Sequence, residues 1–359
     1  MTKRRVLIHI VTWNSADTIV RCIEFARAQR GFTLGDDLII RVTDNASSDD
    51  TVHRVVMLGE VQGLELERNA ANLGFCGAHN QGAAQCLEGG FDAMLILNPD
   101  VGLAPTCLER MLEALSSETR RGIVTPKLLR ASDDLSPLAS QTIDAAGMIL
   151  TPSIRHFDRG SGEVDRGAYE RCEEVFGATG ACLLISRECI SELALSERVS
   201  DEPVWKIYPE LKEGAARRAR LFDEAFFAYR EDADLSWRAG RMGWRCVYTP
   251  TAVASHVRVV TPERRAALPA ILNRLSVRNR FLLQCNNWDL SCGLASLFLG
   301  VLFRNVVVIL GVLLKEWSSI PGLIEAIRLA PRARAIYRTT HHKNAPSRAG
   351  GFCYDAEGR

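Results

Sequence analysis

An excess of either charge is missing: 44 Lys and Arg stand against 43 Asp and Glu, a formal net charge of +1 over 359 residues. So balanced a chain lacks the electrostatic footprint of a nucleic-acid binder, and no nucleic-acid partner is expected. The eleven cysteines are odd in number and scattered, with no Cys-x-x-Cys pair and no Cys/His spacing suited to zinc. Neither a disulfide framework nor a zinc module is indicated, and a reducing cytoplasm is the expected setting. No Gly-x-Gly-x-x-Gly follows the first strand-like run, and no Gly-x-x-x-x-Gly-Lys-Ser/Thr occurs, which removes the dinucleotide and P-loop signatures. The apolar run behind the basic N-terminus, Val6–Val11, is too short for a signal peptide's core. Internal repeats and low-complexity tracts are absent too.

Hydrophobic residues make up 47% of the chain and charged residues 24%, enough to bury a sizeable core in one large domain with an appendage, or in two domains. Val6–Val11 is a β-branched run that stops at Thr12-Trp13-Asn14-Ser15, and Ile19, Cys22, Ile23 and Ala26 then recur at helical spacing. Leu38–Val42 ends in Asp44-Asn45-Ala46-Ser47-Ser48-Asp49-Asp50 ahead of a helix near Thr51. A third strand near Leu64–Glu67 leads through Asn72-Leu73-Gly74-Phe75 into a helix around Ala78–Cys86, and a fourth, Ala93–Leu97, runs into Asn98-Pro99-Asp100. Strands alternating with helices predict an α/β fold, a mostly parallel sheet with helices on both faces. Polar loops that gather behind such strands predict one shared pocket at their carboxyl ends. The stretches 131–138, 158–167 and 197–220 read as surface insertions or mobile loops.

Four constellations could carry chemistry. Asp44, directly behind a strand, can accept a hydrogen bond from a base imide or a ribose hydroxyl, though a Ser/Asp cluster also caps helices. Asp100, at the end of a buried strand, can hold Mg2+ or Mn2+ while diphosphate oxygens complete the shell, or can simply follow a Pro turn. Glu231, Asp232 and Asp234 arrive together at a helix start behind the aromatic stretch Phe222–Tyr229, where one of them can serve as general base. They can equally complement the helix dipole, with Asp234 and Arg238 as a surface pair. His256, closing the strand-like Val253-Ala254-Ser255, can be a metal ligand or a satisfied histidine beside the sheet.

Their joint order is more specific than any one of them. The succession strand-Thr-Trp-Asn-Ser, Asp-Asn-Ala-Ser-Ser-Asp, Asn-x-Gly-Phe-x-x-x-x-Asn-x-Gly, Leu-Asn-Pro-Asp, Gly-Ala-x-x-Leu and Glu-Asp-x-Asp-Leu resembles family 2 of the inverting nucleotide-sugar glycosyltransferases, of GT-A fold, in the rhamnosyltransferase-like branch. The resemblance runs from Val6 to about Val260, and Arg278-Asn279-Arg280-Phe281 resembles a helix found after the catalytic domain in that branch. It implies that Thr12, Asn14, Asp44, Asn72, Gly74, Asn98 and Asp100 line the nucleotide-sugar site. Gly180, Ala181 and Asp234 would form the acceptor wall, Asp232 would be the base supported by Glu231, and Asp100 with His256 would hold the metal. Asn-Pro-Asp stands where many relatives carry Asp-x-Asp, which makes Asp100 the ligand and Asn98 a ribose or phosphate contact.

The implied reaction is one displacement at the anomeric carbon, with inversion. A carboxylate takes the acceptor hydroxyl's proton, and a divalent metal neutralises the departing nucleoside diphosphate. The expected transfer is of rhamnose from dTDP-rhamnose to a lipid-linked or polysaccharide acceptor. The alternative is a non-catalytic nucleotide-sugar-binding or scaffold protein of a polysaccharide assembly system.

Beyond Leu268 the chain turns apolar and basic. Leu290–Leu314 is strongly apolar but is split by Arg304 and Asn305, and an Arg-rich stretch, Arg328–Arg338, follows. A strict span needs about 20 apolar residues. The segment therefore reads as an interfacial helix facing anionic lipid through 290–338, or else as a buried hairpin or oligomer contact. The expected division is a GT-A catalytic domain at 1–265, a helical membrane-associating extension at 266–342 and a disordered tail at 343–359. A peripheral position on the cytoplasmic face of the cell membrane and homodimerisation complete the expectations.

Overall fold

The computed structural model describes residues 4–258 and 270–340; the tail expected at 343–359 lies outside them. The first four strand-loop-helix units run β1 (Val6–Thr12), α1 (Ile19–Arg27), β2 (Leu38–Asp44), α2 (Thr51–Val56), β3 (Leu64–Arg68), α3 (Gly74–Glu88) and β4 (Ala93–Leu97), with β5 (Val101–Leu103) and α4 (Cys107–Ser116) behind them. Next come β6 (Arg121–Arg130), β7 (Ile143–Ala145), β8 (Met148–Leu150), β9 (His156–Asp158), β10 (Glu173–Val175) and β11 (Cys182–Ser186), followed by α5 (Arg187–Leu193) and α6 (Glu202–Trp205). The chain then passes through α7 (Glu231–Arg241), β12 (Arg245–His256), α8 (Ala270–Asn287), α9 (Arg304–Lys315) and α10 (Ile320–Thr340).

The main sheet has the order β10-β12-β6-β11-β4-β1-β2-β3, with β5 added to β12 and β7 to β6. Strands β3, β2, β1 and β4 are parallel, β11 is antiparallel to both β4 and β6, and β12 is parallel to β6. The mostly parallel sheet flanked by helices is thus observed. Period-two alternation gives it two cores. Val6, Ile8 and Ile10 face α1 and α4 through Ile19, Ile23, Leu108 and Met111, while Leu7, Met94 and Ile96 pack with Cys76 and Ala83 of α3 on the other side. Each such aliphatic side chain contributes about 1.5–3 kcal/mol on burial, so the cores hold the strand ends rigidly.

Local differences from the sequence reading have physical causes. Helix α3 starts at Gly74 rather than near Ala78, because the Asn72 side chain accepts the Gly74 N–H at 2.8 Å and Gly74 takes a left-handed φ of 68°. The segment 197–220, read as a surface insertion or a mobile loop, is tied by arginines: Arg220 donates to the carbonyls of Ser196 and Val199 and pairs with Asp201, and Arg218 pairs with Glu224. Asp234 and Arg238, read as a surface pair, are fully buried.

Helix α8 packs beside α10 and α7. A wide-turned (π) helix, Ser296–Phe303, continues directly into α9. Asn305 explains the break in the apolar run: its amide exchanges hydrogen bonds with Gln284 at 2.7 and 3.1 Å and accepts from Arg280 at 3.1 Å. The opposite side of this helix leaves Phe298, Leu299, Leu302, Phe303, Val306 and Leu310 exposed.

Candidate active site

The expected site residues lie along one edge of the sheet. Strands β1, β2, β4 and β12 end there and β11 begins there, with Thr12 paired to Asp44, Ile10 to Leu97 and Leu97 to Cys182. Asp44 is 2% exposed; its Oδ2 accepts the Ser47 N–H at 3.0 Å, while Oδ1 has no hydrogen-bond partner among the described residues. The Thr12 hydroxyl, on the adjoining strand end, is buried and equally unpartnered. Leaving buried polar oxygens unmade costs about 1–3 kcal/mol each, so two of them at neighbouring strand ends mark a place for ligand donors.

Asn14 shapes the rim, with its side-chain oxygen accepting the Ser48 N–H at 2.8 Å. A residue that motif reading passed over, Asn45, clamps the loops together. Its amide donates to the Gly74 carbonyl at 3.0 Å, and its oxygen accepts from the Asn69 side chain at 2.9 Å. A side chain on Gly74 would lie 2.5 Å from the Phe227 carbonyl oxygen, so the donor-side loop abuts the segment that leads to α7.

Behind β4, the Asn98 N–H donates to the Ala181 carbonyl at 2.9 Å, and the Asp100 carbonyl accepts from Val257 at 3.1 Å. Asp100 Oδ1 is buried, has no hydrogen-bond partner among the described residues and faces His256 Nε2 at 3.5 Å. His256 Nδ1 meets Asp144 Oδ2 at 2.8 Å, and Asp144 is also bound by Arg258 at 2.9 Å. Burial alone would lower the imidazole pKa, but the Asp100 and Asp144 carboxylates outweigh it and raise it to about 10. Asp144, which the sequence reading missed, fixes the ring so that Nε2 faces Asp100. This is the arrangement in which a carboxylate orients a metal-binding histidine.

The residues can accept a divalent cation in exchange for the ring proton: the Asp100 oxygen and the oriented His256 nitrogen that now face each other at 3.5 Å are a donor pair that suits Mn2+ or Mg2+ once the imidazole is neutral. No group of three His, Cys, Asp or Glu side chains among the described residues could hold a metal alone. Further oxygens would therefore come from the ligand.

The third group sits at the start of α7. Phe227, Tyr229 and Arg230 all adopt left-handed backbone conformations, with φ of 62°, 70° and 72°, a costly arrangement for residues with side chains. One buried amide holds them: Asn279 Nδ2 donates to the carbonyls of Phe226, Ala228 and Tyr229 at 2.9, 2.8 and 2.8 Å. Asn279 thus positions the loop before the acids, a role its place in a helix pattern did not disclose.

Asp232 accepts the Gly180 N–H at 3.1 Å and the Ala233 N–H at 2.7 Å. Burial raises its pKa to about 6 against the pull of those backbone donors, with the Asp158 charge adding to the rise. Glu231 is buried, with Oε2 unpartnered among the described residues; burial and the Asp232 charge push it well above the carboxylate range. Each of the two disfavours ionisation of the other, so the second charge is the harder one to place.

The adjacent residues Gly180 and Ala181 therefore join Asp232 to Asn98, which stands two residues before Asp100. Asp234 is not brought there. Its carboxylate is turned inward to Arg238 at 2.8 Å, Asn286 at 3.0 Å and Asn287 at 2.7 Å, and the physical reason is charge compensation within the core.

Against known proteins, the model of the Glycosyl transferase family 2 matches residues 7–193. Over 230 residues the chain is 28% identical to N-acetylglucosaminyl-diphospho-decaprenol L-rhamnosyltransferase of Mycobacterium tuberculosis, in strains CDC 1551 / Oshkosh and ATCC 25618 / H37Rv alike. That match takes in 60% of this chain and 66% of the relative, slightly under two thirds of its length. Among solved structures, the crystal structure of GalNAc-T7 with UDP, GalNAc and Mn2+ superposes with a TM-score of 0.57 at 13% identity. It covers 96% of this chain and 59% of that one, a likeness of fold.

Proposed function

The chain belongs to glycosyl transferase family 2, and on that premise we propose that it transfers rhamnose from dTDP-rhamnose, with inversion and metal dependence, to a lipid-linked acceptor at the cytoplasmic membrane surface. It is a glycosyltransferase of GT-A fold. The observation that carries the finer reading is the adjacency of Asp232 to the Asp100–His256 pair through Gly180 and Ala181. The rhamnosyl and lipid-linked parts are prompted by the name of the mycobacterial relative.

In this reading the nucleoside lies over the ends of β1 and β2, where Asp44 Oδ1 and the Thr12 hydroxyl accept or exchange hydrogen bonds with it. The loop bearing Asn72 and Gly74 closes beside it. Asp100 and His256 would hold the divalent ion, with Asn98 at the same strand end. When bound, that ion supplies positive charge to the leaving diphosphate.

Asp232 then receives the acceptor hydroxyl's proton as the oxygen attacks the anomeric carbon. A carboxyl that ionises near pH 6 is a stronger base than an exposed aspartate yet still charged at pH 7 and above. Burial and the Asp232 charge disfavour ionisation of Glu231, which favours placing the charge on the reacting carboxylate. Gly180 and Ala181 form the near wall of the acceptor space, and Asp234 acts from behind by holding α7 to α8 rather than by touching the acceptor.

The membrane contact is supported by the exposed apolar face of the helix Ser296–Lys315. Homodimerisation remains a second proposal for the same face, read by the oligomeric state in detergent. The test of function screens nucleotide sugars for metal-dependent thermal stabilisation, then assays transfer from the stabilising donor to a prenyl-diphosphate-linked sugar. dTDP-rhamnose should raise Tm only with Mn2+ or Mg2+ present and should be consumed. Stabilisation without turnover on any acceptor or by hydrolysis would leave a binding protein instead.

A further inference from the structure

Phe75 has no polar group in its side chain, yet it sits between the two chain segments that hold the candidate base. It lies in the first turn of α3, directly behind the loop of Asn72 and Gly74. Its backbone neighbours meet the segment that leads to Asp232: the Cys76 N–H donates to the Phe227 carbonyl at 3.1 Å, and Gly74 abuts the same carbonyl. Its side chain meets the other segment. A side chain on Gly180 would have its first carbon 3.0 Å from Phe75 Cζ and 3.6 Å from Cε1 and Cε2, so the ring points tip-first at that glycine. The Gly180 N–H in turn donates to Asp232 at 3.1 Å. Gly180 has no left-handed φ, so its backbone does not call for glycine; the ring tip does.

The ring is boxed in. One turn on, His79 lies across it with centroids 4.3 Å apart, and Phe222 meets it edge-on at 5.5 Å. Both walls are themselves fixed. The Asn80 side chain donates to the Phe222 carbonyl at 3.0 Å and accepts the Phe222 N–H at 2.8 Å. His79 Nδ1 meets His9 Nδ1 at 2.9 Å, and His9 Nε2 meets the Thr43 hydroxyl at 2.9 Å, which ties the box to β1 and β2. Close-packed side chains of this kind pass a misfit on to their neighbours rather than absorb it.

We propose that Phe75 is a positioning residue for the base: its ring tip and the missing side chain of Gly180 are a matched pair that sets the N–H orienting Asp232. The inference rests on the reading of Asp232 as the base and adds the device that aims it. Because Phe75 also follows the donor-side loop, that loop and the base are held in register through one side chain.

A double-mutant cycle of G180A and F75L on the full-length protein tests this. Leucine matches phenylalanine out to the two Cδ atoms and lacks Cε1, Cε2 and Cζ, the three atoms that face Gly180, so F75L opens room for the methyl group of G180A. G180A alone should lower kcat by about tenfold or more with the donor KM within about threefold, and F75L/G180A should return to within about threefold of F75L. F75L alone loosens an N–H that favours the ionised carboxylate, so the rise of rate with pH should shift upward by about half a unit. The charged groups about Asp232 are Glu231, Asp234 and Arg230 at the start of α7 and Asp158 of β9, itself paired with Arg258, and neither substitution alters them.

Urea unfolding of each protein against its D232N counterpart, at about pH 4.5 and 8, reads the same carboxyl without catalysis, and the pH dependence of that difference should be larger in F75L than in the native background. In a native protein that transfers no sugar, the reading of Asp232 as base fails by itself, and the unfolding comparison then decides whether Phe75 sets that carboxyl. Additive losses in the cycle, or an Asp232 titration that F75L leaves unmoved, would overturn the positioning role and leave Phe75 as ordinary packing.

Discussion

Replacing Asp232 by asparagine should make the protein more stable and nearly inactive, with both effects following from one buried charge. The Asp232 carboxyl is raised from an ordinary 3.8 to about 6. Two units at 1.36 kcal/mol each place about 3 kcal/mol of unfavourable free energy on the ionised folded state. Between pH 4 and 6 the folded protein keeps a proton that the unfolded chain has released. Stability contributed by this group therefore falls as pH rises through that window and stays low above it.

Asparagine is neutral throughout. It cannot accept both the Gly180 and the Ala233 N–H with its one oxygen, a loss of about 1 kcal/mol. The net expectation for D232N is a gain of about 1–2 kcal/mol at pH 8 that disappears by pH 4.5, read by urea unfolding at both pH values. Transfer should fall by about 10^2–10^4-fold, the usual share of general base catalysis. In the native enzyme the rate should climb with pH to a plateau above about 6. An equal stability difference at the two pH values would refute the desolvated carboxylate, and turnover within tenfold of native would refute its role as base.

E231Q should keep turnover within about tenfold, because a neutral amide replaces a carboxyl whose ionisation burial and the Asp232 charge already disfavour; a loss as deep as that of D232N would reverse the roles of the two acids. H256A should weaken metal-dependent donor stabilisation, and D144N, which loosens the imidazole ring and weakens the Arg258 pair without touching the cation, should raise the metal concentration required by about 10–100-fold. An unchanged metal titration in both would remove the cation from this pair. G74A must place a methyl 2.5 Å from the Phe227 carbonyl at a positive φ, so it should cost about 1–3 kcal/mol by thermal unfolding and depress kcat by shifting the loop before Asp232; a neutral outcome would mean the two loops are not in register. F298D/L302D, both on the exposed face, should abolish flotation with vesicles while leaving unfolding free energy within about 0.5 kcal/mol. Undiminished flotation would place the membrane contact elsewhere.

What the sequence disclosed follows the range of the interactions concerned. Strand β4 was readable to the residue because five consecutive apolar residues between polar stops leave few alternatives, and Thr12, Asp44 and Asp100 follow from where such strands end. The partnerships were not readable. Asp144 sits in a three-residue strand 112 positions from His256, and no periodicity links them. Asn279 looks like any polar residue on a helix until its amide meets three carbonyls some 50 positions away. Asp234 and Arg238 have the spacing of a surface pair, and only the packing of α8 over α7 reveals that both are inside.

That packing also bears on the proposed division at residue 265. The charge of buried Asp223 is met from beyond the boundary by Arg332 of α10 at 2.6 Å and by Asn286, and buried Asp234, paired with Arg238, takes its remaining hydrogen bonds from Asn286 and Asn287 of α8. Stripping partners from a buried charge costs about 3–5 kcal/mol, a large fraction of the stability of a typical domain. Cutting the chain near Leu268 should therefore collapse the α7 region along with any membrane contact, and point substitutions are needed to separate the two. The same helix explains why they are coupled. Along α8, Asn279 holds the loop that precedes Asp232, Arg280 donates to the Gly300 carbonyl, and Gln284 grips Asn305 of the apolar helix. One helix thus ties the loop before Asp232 to the apolar helix Ser296–Lys315, so a cut that removes it disturbs both regions at once.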